Sequence, residues 1–257
     1  MKYTSVGKAN KFGYAKVSLR KDDIYYEGVV DSAGLEIIPL QSSLLVNDLT
    51  DTIALIQYAR GFVFADLRTM TGDSAALEKL QLYQFAYPYS CGLALVQMDD
   101  LYYYINEKAE PCFDSKFDFA ESFIANRAFI STGKKKWIID NEGNIIYDII
   151  YDQVSPYNDS LWQVTRVKGE SYKSGFMNRD GKLVIPLKYD QVGYYDSEFN
   201  RTRVRIKDKL GFVDENGEVA IPLVYDYAEV FYKKLARVRL DGRYFFIDVD
   251  GKETKEQ

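Results

Sequence analysis

The sequence predicts an all-β fold, a single domain over residues 1–257 made of about seven tandem units, each a β-hairpin with a third strand. The first observation is a repeated sequence motif. Residues 175–190 recur at 211–226, with Gly, Asp or Asn, Gly, Ile-Pro and Tyr-Asp in the same places. The second is an aromatic content of 15% with 22 tyrosines, because aromatic side chains suit half-buried strands. The third is the polar and apolar alternation of stretches such as 236–240, which is typical of a strand with one buried face.

The repeated sequence motif extends through the whole chain. Units of this size cannot bury their apolar faces alone and therefore stack on their neighbours, which favours an open, twisted solenoid. A closed seven-unit propeller is the alternative, although propeller blades usually need four strands in more residues than most of these units have. Equivalents of Gly211 are predicted at Gly28, Gly61, Tyr103, Trp137, Gly175 and Phe245.

Each unit is predicted to contain the same elements in the same order. Two strands form a hairpin in which the first strand and its turn have constant length, and the second strand runs into an Asp-x-x-Gly turn, as at Asp214 and Gly217. The first residue of the turn accepts backbone hydrogen bonds, while the glycine tolerates positive φ. A third short strand is expected to end at a proline, because proline lacks the N–H that a ladder needs. The prolines assigned to this position are Pro39, Pro111, Pro186 and Pro222.

One segment departs from this scheme. The residues that follow Asp73 are predicted to form a short helix that begins at Asp73 or Ser74.

Composition argues against several classes of function. The net charge of −5 opposes binding to nucleic acid. No apolar leader and no run of 18 apolar residues is present, which predicts a cytoplasmic protein without membrane association, or an exported one if a leader was removed. The chain has no histidine, and Cys91 and Cys112 lack a metal-binding spacing and are expected to be free thiols. The sequence therefore predicts no enzyme activity, no cofactor and no bound metal.

The Tyr-Asp pairs that mark several units have two interpretations. Tyr151-Asp152, Tyr189-Asp190 and Tyr225-Asp226 supply carboxylates, and a hydrolase needs only two of them at a set separation. A catalytic pair is made once, whereas these pairs recur. Recurrence favours a structural role in which the aspartate accepts backbone N–H groups at a turn and the tyrosine packs.

Four arginines on two strands are the first candidate binding residues. Arg203 and Arg205 alternate with apolar residues in one unit, and Arg237 and Arg239 do so in the next. If the units stack in register, the four side chains form a ladder on one face that suits carboxylates or phosphates. The alternative is a solvated face that pairs with neighbouring acidic residues.

Tyr102 and Tyr104 are the other candidate binding residues. They belong to a run of three tyrosines, and exposed tyrosines stack on sugars or on partner side chains. Because side chains alternate between the faces of a strand, at least one of the three is expected in the core.

In its combination of sequence motifs, the chain resembles the WG-repeat (KWG) family of bacterial β-repeat proteins. The resemblance rests on residues 87–96, on the Gly-Phe-Val-Asp-x-x-Gly motif, and on the Ile-Pro and Tyr-Asp dipeptides. No Trp-Gly dipeptide is retained. The resemblance implies a non-catalytic scaffold that binds a protein partner, which the arginines suggest is acidic. The alternative is a module that binds carbohydrate or cell-wall fragments through surface tyrosines, and a carboxylate hydrolase is a third candidate.

Overall fold

The computed structural model describes residues 2–196 and 198–254, and their regular structure is almost entirely β. These residues form seven antiparallel sheets, each built from strands that are consecutive in the chain. The predicted all-β tandem array is therefore confirmed. The chain divides into two compact units, residues 1–145 and 146–257. Among the described residues, no helix is long and apolar enough to cross a membrane.

The first compact unit contains four groups of strands and one short helix, α1 (Ser74–Leu77). The Asp73 carboxylate accepts a hydrogen bond from the Ala75 backbone N–H at 2.9 Å, which confirms the predicted helix start. The strands are β1 (Ser5–Val6), β2 (Ala15–Lys21), β3 (Ile24–Val30) and β4 (Glu36–Gln41); β5 (Leu44–Thr50), β6 (Ile53–Tyr58) and β7 (Gly61–Asp66); β8 (Phe85–Ala86), β9 (Ala94–Met98) and β10 (Leu101–Ile105); and β11 (Phe119–Ala120), β12 (Arg127–Thr132) and β13 (Lys135–Asp140).

The second compact unit contains three four-stranded sheets, the fifth to the seventh of the chain. A further strand, β14 (Ile145–Asp148), spans the boundary between the compact units. The strands of the three sheets are β15 (Gln153–Pro156), β16 (Leu161–Lys168), β17 (Ser171–Asn178) and β18 (Leu183–Tyr189); β19 (Gln191–Asp196), β20 (Arg201–Ile206), β21 (Lys209–Val213) and β22 (Val219–Tyr225); and β23 (Tyr227–Ala228), β24 (Leu235–Leu240), β25 (Arg243–Asp248) and β26 (Glu253–Thr254).

Each of these three sheets has one strand more than the predicted three. The additional strand comes first in the sheet and directly follows a Tyr-Asp pair, as β19 follows Asp190 and β23 follows Asp226. It pairs antiparallel with the first strand of the predicted hairpin, for example Tyr227 with Arg239. The extra strand ranges from two residues in β23 to six in β19, and the sequence pattern did not reveal it.

The Asp-x-x-Gly turns have the predicted geometry. The Asp214 carboxylate accepts hydrogen bonds from the backbone N–H groups of Asn216 and Glu218, both at 2.9 Å, and Gly217 has φ of +78°. Asp66 makes the equivalent contact with the Arg68 N–H at 3.0 Å. This contact places Val63 at the position equivalent to Gly211. The predicted equivalence of Gly61 is therefore wrong by two residues.

The predicted end of the third strand at proline is also wrong. Pro222 lies inside β22, an edge strand that continues to Tyr225. The β21–β22 register shifts on either side of Phe212, and the bulged strand passes over Gly211, where a Cβ atom would lie 2.7 Å from the Ile221 carbonyl oxygen. A proline is tolerated at such a bulge on a sheet edge.

The fourth proline assigned to this position does not share it. Pro111 forms an isolated bridge with Ile105 and lies five residues after its turn residue, Asn106. Pro222 lies eight residues after Asp214. The assignment of Pro111 to the bulge position is therefore wrong.

The core of the second compact unit lies between successive sheets. Phe212 of β21 is 1% exposed and packs with Phe231, Ala236, Val238 and Ile247 of the seventh sheet's segment. The adjacent residue, Val213, points the other way and packs with Phe176 and Ile185 of the fifth sheet. Alternation along one strand therefore joins three sheets, which confirms the stacking that the repeat predicts.

Candidate interaction surface

The aspartates of the Tyr-Asp pairs have structural partners. The Asp190 carboxylate accepts hydrogen bonds from Lys173 Nζ at 2.5 Å and from the Lys207 backbone N–H at 2.6 Å. These bonds, with that of Lys173 the stronger influence, hold the pKa of Asp190 below its ordinary value. Tyr189 is fully buried. The arrangement agrees with the predicted structural role, because the carboxylate is already engaged with the turn between β20 and β21.

Arg203 lies between two sheets and not on an open face. Its Nη1 atom donates a hydrogen bond to the Ala228 carbonyl oxygen at 2.6 Å, and its side chain is half-buried. Arg201, two residues earlier, donates from Nε to the Val249 carbonyl oxygen at 2.9 Å. Both arginines therefore attach the sixth sheet to the seventh. The predicted ladder is interrupted at Arg203, while Arg205 further along the strand is exposed.

Arg237 and Arg239 lie on the outward face of the seventh sheet. Arg237 Cζ is 4.5 Å from the centre of the Tyr244 ring and Arg239 Cζ is 5.7 Å from it, and Tyr244 is 46% exposed. Among the described residues, no carboxylate lies within salt-bridge distance of either arginine. A guanidinium stacked on a ring keeps its N–H groups available for an anion.

A groove of ≈ 830 Å³ opens beside this face, at the start of β24. Apolar surface comes from Phe246 and Leu235, both half-buried, and from the more exposed Val230 and Tyr232. Positive charge comes from Lys233, Lys234 and Arg237. The groove therefore combines an apolar floor with a basic wall.

The two carboxylates that also line this groove are engaged elsewhere. Glu229 accepts a hydrogen bond from the Tyr227 hydroxyl at 2.9 Å. Asp248 accepts the backbone N–H groups of Asp250 at 3.0 Å and Lys252 at 2.9 Å. No salt bridge to Lys233 or Lys234 occurs within residues 2–196 and 198–254. The groove therefore carries three positive charges against two negative ones, and in the described part of the chain its cations are not held in salt bridges.

A second cavity, of ≈ 710 Å³, lies in the first compact unit and differs in charge. Its apolar wall includes Ile53 and Phe64, and its rim includes Arg68. Arg68 makes a two-bond contact with the Asp66 carboxylate, at 2.9 Å from Nε and 2.6 Å from Nη2. Arg68 and Lys108 are balanced in charge by Asp66 and Glu107 of the same cavity, which therefore offers less to an anionic ligand than the groove does.

The two candidate tyrosines differ in exposure. Tyr104 is 1% exposed, and its hydroxyl donates a hydrogen bond to the Glu121 carbonyl oxygen at 2.6 Å. It belongs to the core and does not reach a ligand at the surface, which corrects its assignment as a binding residue. Tyr102 is half-buried, with its ring centre 6.1 Å from that of Phe119.

Sequence reasoning did not select Lys233, Lys234, Tyr244 or Phe246. A signal for the lysines was present, because the equivalent hairpins carry Cys91-Gly92 and Ala125-Asn126 at this turn. Two consecutive lysines where glycine or asparagine is favoured are unusual. The aromatic residues carried no such signal, since their exposure depends on which face of the sheet is covered.

The arrangement defines an all-β tandem-repeat protein with a basic, aromatic surface on one of its sheets. Four stretches match the family model described as WG containing repeat: residues 82–102, 138–166, 175–209 and 211–244. The chain carries WG repeats, and the predicted resemblance to the WG-repeat family is confirmed. A comparison with curated proteins finds no significant match.

Solved structures share low sequence identity with this chain. A structure described as a eukaryotic initiation factor is 9% identical with a TM-score of 0.44, covering 98% of this chain and 77% of that one. Kluyveromyces lactis Hsv2 with a complete loop 6CD is 10% identical with a TM-score of 0.42, covering 98% of this chain and 99% of that one. Nothing about function follows from similarities at this level.

Proposed function

We propose that this chain is a non-catalytic protein-interaction module that binds an acidic segment of a partner protein on the outward face of the seventh sheet. The observation that carries the proposal is the pair Arg237 and Arg239, stacked on the exposed Tyr244 ring with no carboxylate within salt-bridge distance in the described part of the chain. Arginine held in this way binds carboxylates through two parallel N–H groups.

The charge of the whole chain supports a protein partner over nucleic acid. The net charge of −5 repels a phosphate backbone at long range, whereas a local basic surface still attracts an acidic segment. A non-catalytic role agrees with the Tyr-Asp carboxylates being engaged at turns, as Asp190 is by Lys173 and Lys207. We place this interaction in the cytoplasm.

Capture of partner proteins tests the proposal. The double variant Arg237→Ala with Arg239→Ala is immobilised beside the parent, and captured proteins from the native cell are quantified by mass spectrometry. Arg203 is left unchanged because it attaches one sheet to the next. The double variant Lys134→Ala with Lys135→Ala removes the same charge from exposed positions at the tip of the β12–β13 hairpin and serves as the control.

We expect the arginine variant to lose acidic partners that the parent and the control retain. Added salt should weaken capture by the parent, because exposed charges are screened over about 8–10 Å at ordinary ionic strength. If the arginine variant recovers every partner at parental levels, this face is not the binding surface.

Binding of carbohydrate is the second candidate function, and the exposure of Tyr232 and Tyr244, at 73% and 46%, favours it. Exposed tyrosine rings stack on sugar faces. A glycan array separates the two functions, because a carbohydrate module should lose its signal in Tyr244→Ala and keep it in Arg239→Ala.

A further inference from the structure

We infer that the groove beside the arginine face selects a peptide in which an acidic side chain adjoins a large apolar side chain. This inference rests on the proposed function and deepens it by naming the chemistry of the bound segment. The acidic side chain would meet Lys233, Lys234 and Arg237, and the apolar side chain would meet Phe246 and Leu235.

The apolar floor is open because no residue in the described part of the chain covers the outward face of the seventh sheet as the seventh sheet covers the sixth. Phe212, the equivalent of Phe246 in the sixth sheet, is 1% exposed beneath residues of the seventh sheet. Arg203, the equivalent of Arg237, reaches the Ala228 carbonyl of that covering sheet. Phe246 is only half-buried and Arg237 is exposed. The same face that is core in one repeat is therefore available to a ligand in the next.

The turn at the mouth of the groove is built from residues that suit it poorly. Tyr232 and Leu235 exchange backbone hydrogen bonds of 2.8 and 3.0 Å, and the two residues between them, Lys233 and Lys234, have φ of 49° and 67°. A two-residue turn with positive φ at both positions favours asparagine and glycine, because a Cβ atom is disfavoured in the left-handed region.

Function gives a reason for two lysines in this strained position. The equivalent turns Cys91-Gly92 and Ala125-Asn126 each contain one residue that tolerates positive φ, whereas this turn contains none. Strain that a sequence retains is commonly found at binding sites. Here the retained side chains carry positive charge into a groove whose two carboxylates, Glu229 and Asp248, are already hydrogen-bonded. This charge complements an acidic ligand.

Fluorescence anisotropy with three synthetic peptides tests the selectivity. The labelled probes are four repeats of Asp-Phe, four repeats of Asn-Phe and four repeats of Asp-Ala. We expect the chain of residues 1–257 to bind the Asp-Phe peptide at least about tenfold more tightly than either of the others, since a factor of ten needs only a modest difference in binding free energy.

A double substitution in this turn should stabilise the fold and at the same time remove the two lysine charges of the proposed site. Lys233→Asn with Lys234→Gly installs the favoured turn residues and deletes both charges. We expect this variant to melt at a higher temperature than the parent and to lose Asp-Phe binding by about tenfold or more. Ala125→Asn with Asn126→Gly makes the same turn substitution in another repeat, and it should raise the melting temperature with unchanged binding.

The outcomes separate this inference from the proposed function. Equal binding of the Asp-Phe and Asp-Ala peptides overturns the apolar selectivity and leaves the proposed function standing. Parental affinity in the Lys233→Asn, Lys234→Gly variant overturns the role of the groove. Loss of Asp-Phe binding in that variant, with parental binding in Arg237→Ala, Arg239→Ala, supports the two lysines of the groove and contradicts both the role of Arg237 and the arginine face. Failure of both acidic peptides to bind the parent contradicts both proposals.

Discussion

Gly217 illustrates how a single residue in the Asp-x-x-Gly turn has two separate requirements. Its φ of +78° lies in the left-handed region, and a Cβ atom there would lie 2.5 Å from the Val184 carbonyl oxygen of the preceding sheet. Gly251 in the next repeat has nearly the same φ, +79°, but its Cβ would meet only the Ile221 side chain at 3.3 Å. The turn needs the glycine in both repeats, whereas the contact between sheets needs it only at Gly217.

The comparison gives the first prediction. Gly217→Ala should destabilise the fold by about 1–3 kcal/mol more than Gly251→Ala, because overpacking against a backbone carbonyl adds to the shared cost of the left-handed region. Urea unfolding of the two variants and the parent measures the difference. Gly251→Ala is the matched control, and equal losses in the two variants would show that the contact with Val184 is unimportant.

Asp190 provides the second prediction, which concerns pH. Its pKa in the folded protein is lowered from 3.8, first by the hydrogen bond from Lys173 and then by the Lys207 backbone N–H. A carboxyl with a lowered folded pKa contributes stability above its unfolded pKa and loses that contribution as the pH falls through the folded pKa. The bonds of Asp190 should therefore stabilise the fold at neutral pH and fade in acid.

Urea unfolding of Asp190→Asn at pH 7 and at about pH 3 measures this contribution. The variant should lose less than about 1 kcal/mol at pH 7, since the pair with Lys173 is partly exposed, and the deficit should shrink at the lower pH. Asp208→Asn, an exposed carboxylate in the adjoining turn, should show no such change. A deficit for Asp190→Asn that stays constant with pH would contradict the assignment.

At the scale of the element, the sequence predicted the hairpins and turns more successfully than the strand that precedes them. Hairpin strands such as β24 alternate between buried and exposed residues, and this pattern is local. The additional strand β23 has two residues, and its place in the sheet depends on pairing with β24. Two residues are too few to show a period-2 alternation, so the sequence could not reveal this strand.

The bulge shows a second limit at this scale. Proline was expected to end the third strand because it cannot donate a hydrogen bond, but an edge strand has one side that needs no donor. Pro222 occupies this position in β22, and the strand continues to Tyr225. The candidate site shows the same limit, because alternation placed Arg203 and Arg237 on equivalent faces but could not show that one face is covered and the other open.

At the scale of the whole molecule, the composition predicts a protein without a bound metal. The chain has no histidine, and no group of three potential ligands is positioned for a metal within residues 2–196 and 198–254. Asp248, which begins the Asp-Val-Asp-Gly stretch 248–251, accepts the Asp250 and Lys252 N–H groups. These engaged oxygens suit a turn and not a cation site.

Elemental analysis of protein purified without chelator tests the absence of metal. We expect zinc and calcium well below one equivalent per chain, and an unchanged melting temperature after treatment with a chelator. One tightly held zinc or calcium ion per chain would contradict the prediction.

The close approach of the bulged third strand to the glycine of the second strand limits how one repeat can be replaced by another in a chimaeric protein. Gly28, Gly175 and Gly211 are each followed eleven residues later by a proline of the bulge, Pro39, Pro186 and Pro222. Where Trp137 or Phe245 replaces the glycine, no bulge proline follows at that distance. A chimaera cut between the two positions would pair a bulged strand with a bulky side chain, so the glycine and proline must be transferred together as one cassette.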